Sequence, residues 1–356
     1  MTVTCARARL WDAVLAGDEY AAIATVFDAV DGGMGLEGVL LEVIAPVQYR
    51  IGTEWAANRI SVTEEHCATA INDRVIAALS RHPSVRGAGQ AGRVVVACVD
   101  GEWHALPARL LTEVLRLRGW QVDFLGAHVP TQSLIAHVHR HGPDAIALSC
   151  MIPSRLPVAH AAITACQAAG VSVLAGGAAF GPEGRYAYQL GADAWAPDAR
   201  SAAETLARGL PPAKRFPDPQ CGQELGHLAD QEYTMVSAMA AQLVAHTIAD
   251  LQQQLPAVGG YSELERERIL EEIAHIVDFL SAALYVDDDA LFTGFITWTA
   301  EILAARGVGQ TSIQPSLEII SRHLQDFPRA IRILDCALAA LSTEPARPAT
   351  DPAPMP

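Results

Sequence analysis

The stretch that most constrains this chain is Asp100-Gly101-Glu102-Trp103-His104-Ala105-Leu106-Pro107, taken with what flanks it. The apolar run Val94-Val95-Val96-Ala97-Cys98-Val99 precedes it and reads as a buried strand; Leu110, Leu111, Val114, Leu115 and Leu117 follow at helical spacing within Ala108 to Arg118. Pro107 falls in the first turn of that helix, where its missing N–H would be unpaired anyway, and Gly119 falls where a left-handed C-cap is wanted. Strand, loop and helix in this order form one unit of an α/β domain. The loop then lies at the carboxyl end of a parallel strand, where open sheets place their ligands.

A histidine two residues after a carboxylate on such a loop has a specific capability. One ring nitrogen of His104 can coordinate a metal while Glu102 accepts the proton of the other and fixes the tautomer. The same residue also reads as a solvent-facing loop histidine, because a metal-binding histidine normally has several protein co-ligands.

The alternation continues downstream. Across 90–210, strands fall near 93–99, 120–125, 144–149, 171–175 and 193–196, and helices near 107–118, 131–140, 155–169, 181–190 and 201–208. Short links and apolar strands predict a parallel, doubly wound α/β sheet of the flavodoxin or Rossmann-like type. Residues 1–85 read as a four-helix bundle, with helices near Thr4–Ala16, Asp18–Val30, Leu36–Ala57 and Ser61–Arg81. Gly17, the Gly32-Gly33-Met34-Gly35 turn and Asn58-Arg59 break them, and Asp18 and Ser61 are candidate N-caps. Leu36, Val39, Leu40, Val43, Ile44 and Val47 form one apolar stripe, as an antiparallel bundle requires.

The proline-rich segment 211–221 reads as a stiff linker. Residues 222–342 show no strand alternation and read as an all-α domain, with helices near 224–254, 262–285, 288–306, 312–326 and 328–342; the Pro/Ala/Thr-rich tail 343–356 reads as disordered. His137, His139 and His141 cluster at a helix end. With no cysteine or carboxylate cluster beside them in the sequence, and a helix C-terminus to suit their charge, they read as surface residues.

Composition excludes several classes. With 51% apolar and 18% charged residues among 356, the chain can bury real cores. The net charge of −15, with no basic cluster, opposes nucleic-acid binding. Its seven cysteines are scattered without a Cys-x-x-Cys pair, and several sit in apolar runs, which suggests buried thiols in a reducing compartment. No stretch reaches the ~18 uninterrupted apolar residues of a membrane span, and the start lacks a signal-peptide pattern. A cytoplasmic protein with no membrane contact is the expectation.

Two spacings link the His104 loop to later segments. Between Pro107 and Ser149-Cys150-Met151 lie 41 residues, and between Met151 and Gly176-Gly177 lie 24. The arrangement resembles the cobalamin-binding fingerprint, in which an Asp-x-His-x-x-Gly loop, a Ser-x-Thr and a Gly-Gly pair recur at similar intervals. The resemblance implies that His104 replaces the cofactor's own benzimidazole as lower cobalt ligand (base-off, His-on), and that the displaced nucleotide tail runs down through the sheet. It makes Glu102, Trp103, Ser149, Met151, Gly176 and Gly177 cofactor-binding residues. A corrin supplies four equatorial nitrogens, which explains how one protein histidine can suffice. Glu102 stands for the family's aspartate, Pro107 for its first glycine and Met151 for its threonine; glutamate in that place is similar to the light-sensing branch.

In the bundle, Trp55 is followed after nine residues by Glu65-His66. By itself this reads as a core tryptophan with a helix-surface acid and histidine. Upstream of Glu-x-His in a cobalamin fold, it resembles the adenosylcobalamin photoreceptors that regulate carotenoid synthesis genes. In those proteins the bundle lies over the upper face of the corrin, the tryptophan covers the adenosyl group, and the glutamate and histidine line its pocket. An indole offers stacking and excludes water, and a carboxylate accepts hydrogen bonds from ribose hydroxyls. Those repressors carry an N-terminal DNA-binding domain, whereas this sequence begins at the bundle, and they place a histidine after the tryptophan where this chain has Ala56. Neither DNA binding nor a bis-histidine photoproduct is therefore expected; His66 or water is the candidate upper ligand after light.

The pattern Asp289-Ala290-Leu291-Phe292, Phe295, Trp298, then Leu303-Ala304-Ala305-Arg306-Gly307-Val308 resembles the globin-like domain of photocobilins, photoreceptors that bind cobalamin and the bilin biliverdin. His246, His275, His323, Arg322 and Arg306 are available to a bilin's propionates, and Cys221 and Cys336 to covalent attachment, though each also reads as an ordinary residue. The resemblance implies a light sensor and not an enzyme. It would hold adenosylcobalamin and biliverdin, form a homo-oligomer of light-dependent state, and signal to an output protein. The alternative is a corrinoid methyl-carrier protein of a methyltransferase system; a third reading makes the C-terminal domain a haem globin with His275 or His323 as proximal ligand.

Overall fold

The structure is a computed structural model and describes residues 1–82, 91–213, 225–254, 263–307 and 313–343. These fall into two compact units, one within Met1–Gly222 and one within Gln223–Ala353.

The first unit opens with α1 (Val3–Leu15) and α2 (Glu19–Asp31), started by the side chains of Thr2 and Asp18, which accept from the backbone N–H groups of Cys5 and Ala21. The third helix, α3, departs from the single α-helix expected over Leu36–Ala57. It consists of Leu36–Gly38, a π-helical stretch Val39–Ile44 and an α-helical run Ala45–Ala56. Pro46 accounts for the difference, because its ring cannot donate to the carbonyl four residues back and crowds it. The backbone widens just before it, with the Ala45 N–H reaching Leu40 O. The orphaned carbonyl, Glu42 O, is instead met by the Arg7 guanidinium from α1. Helix α4 (Val62–Leu79) begins with a full capping box, Ser61 and Glu64 exchanging side-chain and backbone hydrogen bonds.

The second part of this unit is a five-stranded sheet with strand order 2-1-3-4-5 and parallel pairing throughout, the flavodoxin-type order. Its strands are β1 (Arg93–Cys98), β2 (Gln121–Gly126), β3 (Ala145–Ser149), β4 (Ser172–Gly176) and β5 (Ala194–Ala196). The connecting helices are α5 (Leu106–Leu117), α6 (Thr131–His141), α7 (Leu156–Ala168), α8 (Arg185–Gln189) and α9 (Ala199–Arg208). α8 is shorter than the helix expected over 181–190. A Cβ on Gly184 would lie 2.3 Å from the Trp195 ring, and the left-handed backbone there (φ +70°) keeps regular helix from starting earlier.

One apolar core joins bundle and sheet domain. Leu10, Val26, Ile44 and Ile76 belong to the same buried cluster as Val96, Leu115 and Leu206. At its rim Glu37 of α3 is bound by both arms of Arg118 (2.8 and 3.1 Å) and by Arg200 of α9 (3.3 Å). The hydrogen bond from Arg118 outweighs partial burial and holds the Glu37 carboxyl below its usual range.

The second unit is helical among its described residues: α10 (Glu232–Ala238), α11 (Ala240–Gln254), α12 (Glu263–Val286), α13 (Asp289–Ala305), α14 (Ile313–His323) and α15 (Pro328–Thr343). The helix expected over 224–254 is interrupted: a 3-10 turn at Gly226–Asp230 precedes it, and Met239 leaves helical geometry between α10 and α11. Phe279 and Phe295 stack 3.7 Å apart between α12 and α13. The buried Glu232 carboxylate accepts the N–H groups of Arg329 and Ala330 (3.0 and 3.1 Å), anchoring the positive end of α15. No helix among the described residues is long and apolar enough to cross a membrane.

Candidate functional site

The loop after β1 is built from the inside outwards. Glu102 is fully buried, yet each of its carboxylate oxygens is engaged. Oε1 accepts the His104 backbone N–H at 2.8 Å and lies 2.6 Å from His104 Nδ1; Oε2 accepts the N–H groups of Met151 (2.7 Å) and Ile152 (3.0 Å) from the loop after β3. Burial alone would raise this carboxyl, but the His104 side chain, the His104 N–H and the Met151 N–H together bring it down to about 2. The ionised carboxylate raises the pKa of His104 in turn, chiefly through the same hydrogen bond and against partial burial; the charge of Glu65 in the bundle adds to the rise.

The chemistry follows from the tautomer. An anion facing Nδ1 keeps the proton on that nitrogen, so neutral His104 has its lone pair on Nε2, and the side chain is 61% exposed. This is the orientation in which a carboxylate-backed histidine binds a metal. Trp103 stands beside it, 70% exposed, its indole stacked 4.8 Å from the His128 ring at 13°. His128 is held in turn by the Gly101 N–H on its Nδ1 (2.9 Å).

Below the loop, β3 and β4 meet at Ser149, Cys150, Gly176 and Gly177. Cys150 N donates to Gly176 O (3.0 Å), and Ala179 N donates to Cys150 O (3.2 Å). Gly177 has φ +105°, and a Cβ there would come within 2.1 Å of Cys150 O, so only glycine fits. Gly176 is less constrained, its nearest contact being Ala196 O at 3.5 Å. Ser149 is buried at the end of β3, and its main-chain carbonyl accepts from Val99 N at 3.1 Å.

In the bundle, Trp55 is half-buried in the last turn of α3, and Glu65 and His66 sit in the first turn and a half of α4, with Glu65 Oε2 against His66 Nδ1. Glu65 Oε1 also accepts from Thr69 Oγ1 (2.7 Å), which accepts from Gln48 Nε2 (2.7 Å), whose Oε1 accepts from the fully buried Asn72 (2.8 Å). This polar chain across α3 and α4 orients Glu65. Its members Gln48, Thr69 and Asn72, together with His128, have no motif in the sequence; a polar residue at a buried helix position, as at Asn72, was the one available signal.

The predicted bilin residues are only partly gathered. His246 and His323 lie with ring centroids 5.5 Å apart, and Asp250 holds His323 Nε2 at 3.0 Å. His275 and Arg322 are exposed on α12 and α14. Arg306 donates back to Ile302 O (3.3 Å), and partial burial lowers its pKa. Cys336 is exposed, its thiol pushed up by desolvation and by Asp289, and Cys221 lies outside the described residues. Cys98, Cys150 and Cys166 are buried thiols; Cys5 and Cys67 are exposed.

One reading needs correcting. His137 and His141 do have a carboxylate companion: Asp123 of β2, with Oδ2 2.9 Å from His137 Nε2. It lies 14 residues upstream, on the other side of the turn that joins β2 to α6.

Residues 92–207 match a family model described as a B12 binding domain, and residues 6–80 match a second, separately described in the same words. The chain is 29% identical over 159 residues to the HTH-type transcriptional repressor CarA of Myxococcus xanthus, a stretch that is 44% of this chain and 51% of that protein. It is 32% identical over 111 residues to the HTH-type transcriptional repressor CarH of the same organism, 30% of this chain and 35% of that protein. The chain thus matches about half, or less, of the length of these relatives. Among solved structures, the Methanosarcina barkeri monomethylamine corrinoid protein aligns over 58% of this chain and 99% of its own, with a TM-score of 0.49 and 18% identity. The two family matches cover the bundle carrying Trp55, Glu65 and His66 and the sheet domain carrying His104, and they make cobalamin the cofactor of this chain.

Proposed function

We propose that this protein is a light sensor that holds adenosylcobalamin base-off, with His104 as the lower cobalt ligand. The observation that carries the reading is the buried Glu102 carboxylate on His104 Nδ1, which leaves the exposed ring with one donor nitrogen, Nε2. The bound cofactor supplies a cobalt–carbon bond that visible light breaks.

The chain's own residues do the rest. Glu102 fixes the imidazole by tying the β1 loop to the Met151 and Ile152 amides. Gly177 keeps the space beside Cys150 clear of a side chain for the nucleotide tail. Trp55, Glu65 and His66 cover the adenosyl side, with Glu65 aimed by the Gln48–Thr69 hydrogen bonds. Trp55, Glu65 and His66 would lose their ligand on loss of the adenosyl group, and the packing of the bundle would be biased, a local change with a quaternary readout. The signal leaves through self-association or a protein partner, without catalysis. The helical C-terminal unit, read as globin-like, would hold biliverdin near the His246 and His323 rings, and the bilin would extend absorption to red light.

The test is reconstitution of the full chain with adenosylcobalamin in the dark, followed by absorption spectra before and after green light. A base-off, histidine-ligated spectrum that changes on illumination supports the reading. Retained benzimidazole ligation refutes the role of His104. A spectrum indifferent to light refutes the photochemistry, and methyl-group exchange with a methyltransferase in its place selects the carrier alternative.

A further inference from the structure

Asp123, His137 and His141 occupy a place that the cobalamin site does not use. His137 and His141 are four residues apart on α6, so both imidazoles rise from one face; their ring centroids are 4.2 Å apart with 30° between planes. Asp123 projects from β2 to the same point, and one ligand atom from each of the three residues lies within 4.8 Å of the others. A tetrahedral zinc ion with bonds of about 2.0–2.2 Å separates its ligands by roughly 3.3–3.6 Å. The difference is within what His141, the last residue of its helix, can close by turning about its side-chain bonds.

We propose that these three residues form a second metal site, for a divalent ion of the zinc class, with solvent in the fourth position. The donor set selects the ion. Two imidazoles and one carboxylate suit zinc, nickel or copper, whereas magnesium and calcium want oxygen ligands. Arg93 sharpens that choice: its Nε lies 3.6 Å from Asp123 Oδ2, and its Nη1 is fixed on His141 O at 3.3 Å. A guanidinium this near the carboxylate opposes every divalent cation, and the ions that bind imidazole strongly are the ones best able to overcome it. The site joins α6 to β2, the two elements linked by the turn that carries His128, whose ring abuts Trp103.

The test is calorimetric titration of zinc sulfate into the full chain already loaded with cobalamin, so that His104 is engaged, with zinc-edge X-ray absorption on the same sample. The expected result is one zinc per chain with a nitrogen and oxygen shell, weakened at least about tenfold by His141→Ala and unchanged by His139→Ala. His139 is exposed and His141 is the last residue of α6, and neither belongs to the hydrophobic core, so neither change threatens folding. Magnesium chloride under the same conditions should give no comparable binding. The proposal is overturned by absence of zinc binding, by equal affinity in the His141→Ala protein, or by a sulfur shell, which would place the ion on cysteine thiols instead.

Discussion

Two carboxylate–histidine pairs stand on one sheet, at 2.6 Å for Glu102–His104 and 2.9 Å for Asp123–His137, and they are built for different work. Glu102 is 0% exposed and is fixed by three backbone N–H groups from two loops, while its histidine is mostly in solvent. Asp123 is 19% exposed and shared with Arg93, and its histidine is 22% exposed. The first pair presents one preset nitrogen from a rigid base. The second spreads its donors over three side chains, so that an ion must draw them together. Rigid presentation suits a cofactor whose other ligands come with it; convergence suits a bare ion.

The largest expected contrast is in stability. Glu102→Ala removes a fully buried carboxylate and leaves the Met151, Ile152 and His104 N–H groups without their acceptor in a partly buried place, and should cost roughly 3–5 kcal/mol in denaturant unfolding of the cofactor-free chain. A loss under about 1 kcal/mol would mean that the carboxylate is not the anchor described. Next is cofactor affinity. His104→Ala should weaken cobalamin binding by more than about 100-fold and abolish histidine ligation in the spectrum, beyond the about 10–100-fold typical of a supporting residue. His137→Ala should leave both unchanged, and equal effects of the two substitutions would erase the comparison.

The acid response is the third. The Glu102 carboxyl is lowered from 4.5 to about 2, so its contribution to stability is whole above about pH 4.5 and is lost as pH falls towards 2. His104 is raised above 6.5; its contribution is full below that value and fades as pH rises through the folded-state value. Urea midpoints of the cofactor-free chain across these windows should show the acid loss in the parent and a smaller loss in Glu102→Gln. Parallel curves would contradict the assignment. The smallest effect is Asp123→Asn, which breaks a partly solvated pair with Arg93 and should shift stability by no more than about 1 kcal/mol in the absence of added metal.

Legibility followed sequence distance. The Glu102-x-His104 loop could be read because strand, loop and helix are contiguous and the burial of β1 fixes which end of the sheet the loop occupies. The Glu65–Thr69–Gln48–Asn72 chain could not, since it depends on which faces of α3 and α4 meet. α3 reads as uniform in the sequence because helical periodicity tolerates a π stretch, and Pro46 is the signal that marks the break. His137 reads as a surface residue in the sequence because its partner Asp123 is 14 positions away, across a strand-to-helix turn.

The sequence by itself determined the alternation of elements, the parallel sheet, the bundle preceding it and the place of the Glu102-x-His104 loop after β1, because periodicity, caps and glycines act within a few residues. Only the tertiary structure decided which carboxylate stands behind which imidazole, how far each is removed from water, and that bundle and sheet share one core clasped by Glu37 between Arg118 and Arg200. Burial and pairing are properties of the packed chain. They set the charge state of Glu102 and the tautomer of His104, and with them the chemistry of the site.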